Sequence, residues 1–409
     1  MASAQLRNDR GWVWQNPLPQ GNALYSIHFA QDNLTGFAVG DNRTILRTVD
    51  GGFTWESQTS PVDATLSAIF VRDARSAVIV GTRGTILLTD NAGKDWRPVD
   101  AGSRDHLYGI TFVGSTLQTG WAVGTYGHIL KTTDGGANWR QQLTGSGEHL
   151  LKVSAFTERD IVAAAANGIV FVSSDGGDSW KSYKPCGGNA ISSVSFIHTD
   201  EIVAAGYGGC IARSVDDGAT WNRMPTFTTS DFLAMTFNGP KRGSATDSSG
   251  CVWLTGDGGK TWLPFYVRTN PKLTSIYFGD RFTGWAVGEN GLIVRTDDGG
   301  YSWQRLSYGG REDVNDLWLM DDDHGVSVGS RGRIWLTDDG GRAWFPVFSD
   351  TSEGLNAVTF INDDRGWIVG DNGTVLRTIN SGASWGKGIS GVTDDLLGVA
   401  FFNEKIGFA

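Results

Sequence analysis

The sequence predicts an all-β fold, a β-propeller of four-stranded antiparallel blades, and three observations carry that expectation. An acidic, Gly-rich turn ending in Trp returns nine times along the 409 residues. The spacing between copies is 41 residues, with a single interval of 43. Every interval holds the same series of short apolar segments separated by Gly or Asn-Gly, and no segment keeps a helical period. A fixed period of about 20–50 residues marks stacked or radially arranged supersecondary units. Four strands per unit match a propeller blade.

The unit ending at Trp303 shows each element most clearly. Its first strand is Leu273-Thr274-Ser275-Ile276-Tyr277-Phe278, alternating and β-branched. Its second is Gly284-Trp285-Ala286-Val287-Gly288, and its third is Gly291-Leu292-Ile293-Val294-Arg295-Thr296. The turn Asp297-Asp298-Gly299-Gly300 follows, and Trp303-Gln304-Arg305-Leu306 begins the fourth strand. The first strand is expected to line a central channel and the fourth to lie outermost.

The turn has its own logic. Its acidic position is Asp50, Asp134, Asp175, Asp216, Asp257, Asp298 and Asp339, with Asn91 and Asn380 in two copies. Such side chains accept hydrogen bonds from the next few backbone groups, and the Gly after them supplies positive φ. The Trp positions are Trp55, Trp96, Trp139, Trp180, Trp221, Trp262, Trp303, Trp344 and Trp385. Each offers a large apolar body to pack against a neighbouring unit. These carboxylates are thereby assigned to turns and not to chemistry.

The repeats fall at about 24–64, 65–105, 106–148, 149–189, 190–230, 231–271, 272–312, 313–353 and 354–394. One repeat covers nearly the whole chain, so a single domain over 1–409 is expected. Residues 12–18 read as an outermost strand and 395–409 as two inner strands, which together suggest a composite, partial tenth blade closing the ring.

Composition bounds the partners. Net charge is −10 with dispersed basic residues, which disfavours nucleic acid and anionic membrane surfaces. No stretch of about 18 apolar residues is present, and the start lacks the apolar core of a secretory signal. Cys186, Cys210 and Cys251 show no metal spacing and no disulfide framework, and Cys210 and Cys251 are expected to pack as small apolar residues. The six His form no ligand pair, so neither metal nor cofactor is assigned.

A second period runs under the first. Odd units carry Arg47, Lys131, Arg213, Arg295 and Arg377 three residues before the acidic position, where even units carry Leu88, Val172, Leu254 and Leu336. Two readings follow: descent from a duplicated blade pair, or a ring of cations offered to an acidic partner. In the sixth unit, Ser244-Ala245-Thr246-Asp247 replaces the usual Val-Gly ending, and Asp247 is its sharpest departure.

The combination Gly-Trp-Ala-Val-Gly, Gly-x-Ile-Leu-Arg-Thr and Asp-Gly-Gly-x-x-Trp, as in 120–139 and 284–303, resembles the photosystem II stability/assembly factor family over essentially the whole chain. The opening Trp14-Gln15-Asn16-Pro17-Leu18-Pro19 is similar to bacterial members. The resemblance implies a seven-bladed, non-enzymatic propeller that binds a membrane-protein partner during assembly on the periplasmic or lumenal side. The acidic turn alone also resembles the Asp-box of sialidases, xyloglucan hydrolases and sortilin-type receptors. A scaffold with a protein partner is therefore the first expectation. A carbohydrate-binding or glycoside-hydrolase propeller is the alternative, with Tyr126, Tyr207 and Trp318 as candidate stacking residues.

Overall fold

The computed structural model describes residues 6–7, 13–14, 21–267, 272–306, 313–338, 340–341, 344–403 and 406–409. It is all-β: nine four-stranded antiparallel sheets follow one another along the chain, each a simple meander. They span 24–58, 66–98, 107–143, 150–183, 191–224, 232–266, 273–305, 314–347 and 355–387, and are called blades 1 to 9.

The expected single ring does not form. The chain divides into two compact units, Gly21–Ser307 and a second made of Met1–Gln20 with Tyr308–Ala409. The first unit holds blades 1 to 7 and closes on itself. Tyr277 of blade 7 donates its hydroxyl to the Phe29 carbonyl at 3.2 Å, and Thr274 donates to the Leu24 carbonyl. The Trp285 indole and the Arg295 guanidinium both donate to the Gly51 carbonyl of blade 1, at 2.8 and 2.9 Å. Leu24, Phe29, Trp55, Trp285 and Ile293 share one buried cluster across this seam.

Closure uses the same residue positions as the internal seams, where Lys131 reaches the Gly176 carbonyl and Arg213 reaches the Gly258 carbonyl. No composite blade is needed, because a seventh blade already presents what the first can accept. The second unit holds blades 8 and 9. The strand Val13–Trp14 pairs with Leu6–Arg7, and Ala400–Asn403 pairs with Ile406–Phe408. The two ends thus form separate two-stranded sheets and not one shared tenth blade.

The described turns with Asp share one set of contacts, and in the two with Asn the side-chain amide donates to Asp95 or Ser384 in place of accepting. Asp50 Oδ1 accepts the Thr54 amide at 2.9 Å, Oδ2 accepts the Thr54 hydroxyl at 2.6 Å, and Thr48 donates to Oδ1. Gly52 sits at φ +90, and an added Cβ would lie 2.9 Å from the Trp285 indole nitrogen of the neighbouring blade. Only Gly satisfies both demands. The Trp closes the turn from below: in Trp139, Trp180, Trp221, Trp262, Trp303 and Trp385 the indole donates to the carbonyl of the Gly three residues before it. Phe29, Phe112, Phe237, Phe278 and Phe360 meet the Trp of the same blade edge-on. The Trp is thus a clasp within its blade as well as a contact between blades. Asp339 lies outside the described residues.

Cys186 and Cys210 are joined in a disulfide, with Cα atoms 6.1 Å apart. This corrects the expectation for both. The linker after blade 4 carries Cys186 to the third strand of blade 5, a tertiary approach that a separation of 24 residues does not announce. Cys251 is free and buried.

Candidate functional site

Three of the alternating cations, Lys131, Arg213 and Arg295, fasten one blade to the next. On each blade the third-strand position pairs directly with a second-strand residue: Trp121 with Lys131, Val203 with Arg213, Trp285 with Arg295 and Trp367 with Arg377. The cation lies over the aromatic ring in three of these, at 5.3 to 5.8 Å. Arg213 also binds Glu201 at 2.6 Å and Arg295 binds Asp297 at 2.7 Å, with side chains only 12% and 13% exposed. Arg47 is half-buried, with an enclosed Nε that has no hydrogen bond among the described residues. Arg377 is exposed and belongs to the other unit. The expected ring of solvent-facing cations is therefore absent from Lys131, Arg213 and Arg295, which spend their charge on the next blade's turn.

Blade 6 departs from this pattern at one position, although Leu254 still packs against Gly300 of blade 7 and Asn238 donates to the Phe278 carbonyl. Where the other blades of the unit place Phe37, Val78, Trp121, Val162, Val203 and Trp285 in the second strand, blade 6 has Ser244, paired with Leu254. Those six side chains are fully or almost fully buried, filling the space toward the next blade. Ser244, itself 5% exposed, is the smallest side chain at this position. A cleft of about 320 Å³ opens there between blades 6 and 7.

Its floor is Gly243, Ser244, Leu254 and Phe278. Its rim is formed by the hairpin carrying Lys241 and Arg242, the hairpin carrying Asp280 and Arg281, and the outer residues Leu263, Phe265 and Tyr301. Phe265 and Tyr301 meet edge-on at 5.1 Å. Lys241, Arg242 and Arg281 are exposed and form no ion pair among the described residues; Arg281 lies over Phe282 at 4.2 Å. The lone lining carboxylate is committed: Asp280 accepts the amides of Phe282 and Thr283 at 2.7 Å and the Asn33 amide at 2.8 Å. Burial alone would raise its pKa, yet these donors hold it below the usual carboxylate range.

Asp247 has a structural role. It is 1% exposed, and its carboxylate takes the Ser249 amide and hydroxyl, the Cys251 amide and the Trp253 indole at 2.6 to 3.0 Å. It ties the hairpin of its own blade and presents no free oxygen to a substrate. The turn carboxylates are equally occupied. The Ser179 hydroxyl, then its amide, hold Asp175 down to about 2. At Asp257 burial pushes upward, but the Thr261 hydroxyl and amide and the Thr255 hydroxyl carry it down to about 2 as well.

Along the axis of the seven-bladed unit, His28 lies between Phe70 and Tyr277, its ring tilted to both at 4.5 Å between centroids, and its Nδ1 accepts the Val71 amide. Burial, and then the charge of Lys152 from blade 4, push His28 down to about 3. Burial also lowers Lys152. The corresponding positions of the other blades are Ser26, Ala68, Gly109, Ser193, Ala234 and Ser275, so this ammonium is confined to one blade. On the opposite rim from the acidic turns, Tyr126 and Tyr207 are 67% and 45% exposed. Trp318, in the second unit, is half-buried and stacked on Phe360.

The family model described as photosynthesis system II assembly factor YCF48 matches residues 6–105, 97–185, 221–312 and 310–390. The chain belongs to the YCF48 family. A solved structure described as YCF48 bound to D1 peptide is 21% identical, covers 72% of this chain and 97% of its own, and superposes with a TM-score of 0.59. The seven-bladed unit makes up a similar share, 287 of 409 residues. Two glycoside hydrolases of the GH74 class share the fold. The xyloglucanase from Xanthomonas campestris is 15% identical, covering 90% of this chain and 74% of its own, TM-score 0.60. An ancestral GH74 enzyme is 12% identical, covering 95% and 66%, TM-score 0.71. No curated protein matches the chain. At these identities the structural neighbours define architecture, while membership in the YCF48 family rests on the family model.

Proposed function

We propose that the chain is a non-enzymatic scaffold whose seven-bladed unit binds a segment of a partner protein, part of a membrane-protein complex of the photosynthetic kind. The observation that carries this reading is the cleft between blades 6 and 7. It is preformed, rimmed by three cations without ion pairs among the described residues, and it holds a single carboxylate that is already fully hydrogen-bonded. Glycoside hydrolysis by the usual route needs two carboxyls about 5–10 Å apart on either side of the bond; this cleft offers binding without such a pair. A rigid ring suits a scaffold because its loops are ordered before the partner arrives, which lowers the cost of association. The D1 peptide bound in the solved YCF48 structure supports a protein ligand. The Cys186–Cys210 disulfide suits an oxidising compartment such as the periplasm or lumen.

A carbohydrate-binding reading is favoured by one observation, the exposed rings of Tyr126 and Tyr207 on the opposite rim. The two are separated by one experiment. The chain is incubated with detergent-solubilised membranes, cross-linked and analysed by mass spectrometry, with Arg242→Glu/Arg281→Glu as control and xyloglucan hydrolysis assayed in parallel. The scaffold reading expects a membrane-complex subunit captured by the wild type and lost in the charge-reversed variant, with no reducing sugar released. Sugar release, or capture indifferent to the charge reversal, would overturn it.

A further inference from the structure

The cleft also specifies what enters it. We infer that the space vacated at Ser244 receives one bulky apolar side chain, aromatic or leucine-like, from an acidic peptide segment of the partner; the inference rests on the scaffold reading above. In six other blades of the unit the same space is filled from within by Phe, Val or Trp, and these residues are at most a few per cent exposed. Blade 6 supplies the smaller Ser244, itself 5% exposed at the base of the cleft, with the half-buried Leu254 and the buried Phe278 beside it as an apolar floor. A floor of this kind gains from burying an apolar group. The volume, about 320 Å³, accommodates a whole aromatic side chain together with peptide backbone.

Charge selects the flanks. The protein carries −10 overall, yet Lys241, Arg242 and Arg281 converge on this rim without ion pairs among the described residues. Acidic residues on either side of the anchor would meet them, steering the encounter and fixing register. A basic or neutral segment would face unrelieved repulsion or none of this gain. A second copy of the chain, acidic as a whole, is excluded by the same test only if its own segments fail to bind; its binding is an outcome the experiment reads.

The experiment uses the full chain and fluorescein-labelled twelve-residue peptides: a Glu-rich peptide with a central Phe, the same peptide with Ala at that position, and a Lys-rich peptide with the Phe kept. Ser244→Val installs the side chain found at the corresponding position of blades 2, 4 and 5, so the variant fills the cleft without a foreign shape. The Glu-rich Phe peptide should bind the wild type, and weaken at least tenfold on Phe→Ala, on reversal to Lys, and in Ser244→Val. Thermal unfolding of Ser244→Val should occur at or above the wild-type temperature, showing that the loss is not misfolding. Equal affinity for the Phe and Ala peptides, unchanged binding by Ser244→Val, or tighter binding of the Lys-rich peptide would overturn the anchor. Self-association of the chain abolished by Ser244→Val would replace the foreign partner with a second copy. If membrane-partner capture persists in Ser244→Val while no peptide binds, the anchor fails and the scaffold stands.

Discussion

Replacing Arg295 with Met tests whether this cation fastens one blade to the next. The Arg295 guanidinium donates to the Gly51 carbonyl at 2.9 Å, to Asp297 at 2.7 and 3.2 Å, and lies 4.0 Å from the Phe53 ring. A hydrogen bond from a charged donor contributes about 1.5–3 kcal/mol. The Asp297 pair adds only about 0.2–1, because that carboxylate is more than half exposed. The ring contact adds about 0.5–1. Gly51 keeps its bond from the Trp285 indole, so the carbonyl is not orphaned and the total falls at the low end, about 2–3 kcal/mol. Met preserves the buried stem and isolates the charge. Urea denaturation of the full chain followed by Trp fluorescence reads the loss. Arg377→Met, at an exposed position in the other unit, should cost under about 0.5 kcal/mol. A loss for Arg295→Met no larger than that of Arg377→Met would refute the fastening role.

Further expectations follow from other sites. Trp262 is 4% exposed and bonded to Gly259, so Trp262→Ala should cost about 3–5 kcal/mol in the same titration; under about 1 would contradict its packing. His28 is held at about 3 when folded, whereas an unfolded His titrates near 6.5. The unfolded chain thus binds the extra proton between these values, and stability should fall as pH drops through that window, more steeply in the wild type than in His28→Gln; equal acid profiles would refute the enclosed imidazole. Lys152, also lowered, carries the opposite test at high pH. Lys152→Met should be more stable than the wild type at pH 7, with the advantage shrinking as pH rises through the folded and then the unfolded lysine pKa; a constant difference would assign the effect to packing. Reduction, or Cys186→Ser, should lower the melting temperature, by roughly 2–5 kcal/mol in stability at most; no change would mean the linker is held without the bond.

Much of the fold was legible because each blade advertises its turn locally. Asp50, Gly52 and Trp55 sit within six residues, and Asp50 and Gly52 bond to Thr48 and Thr54 in the same turn, so period and strand count could be read directly. Blade number per ring was not legible. The seam from blade 7 to blade 1 uses Trp285 and Arg295 on Gly51, chemistry that the internal seams repeat with Lys131 and Arg213. Nothing local distinguishes closure from continuation. The cations were visible as an alternation, but their acceptors are carbonyls about forty-five residues away, or 244 in the case of Arg295. The site had a signal that pointed one step aside. The departure at 244–247 was visible, and its most conspicuous member, Asp247, is the one consumed by the turn; Ser244, the inconspicuous one, opens the cleft. A small polar residue in a strand draws notice only when the neighbouring blade's empty face is known.

The most direct test of the scaffold account places a photoreactive amino acid at Leu263, 63% exposed on the cleft rim, and separately at Tyr126 on the opposite rim. Each protein is irradiated with solubilised membranes and the adducts are mapped by mass spectrometry. The account expects the Leu263 position to capture an acidic segment of a membrane-complex subunit, competed by the Glu-rich Phe peptide, with no such adduct from Tyr126. A partner captured only through Tyr126, or a glycan protecting that rim while Leu263 captures nothing, would contradict it.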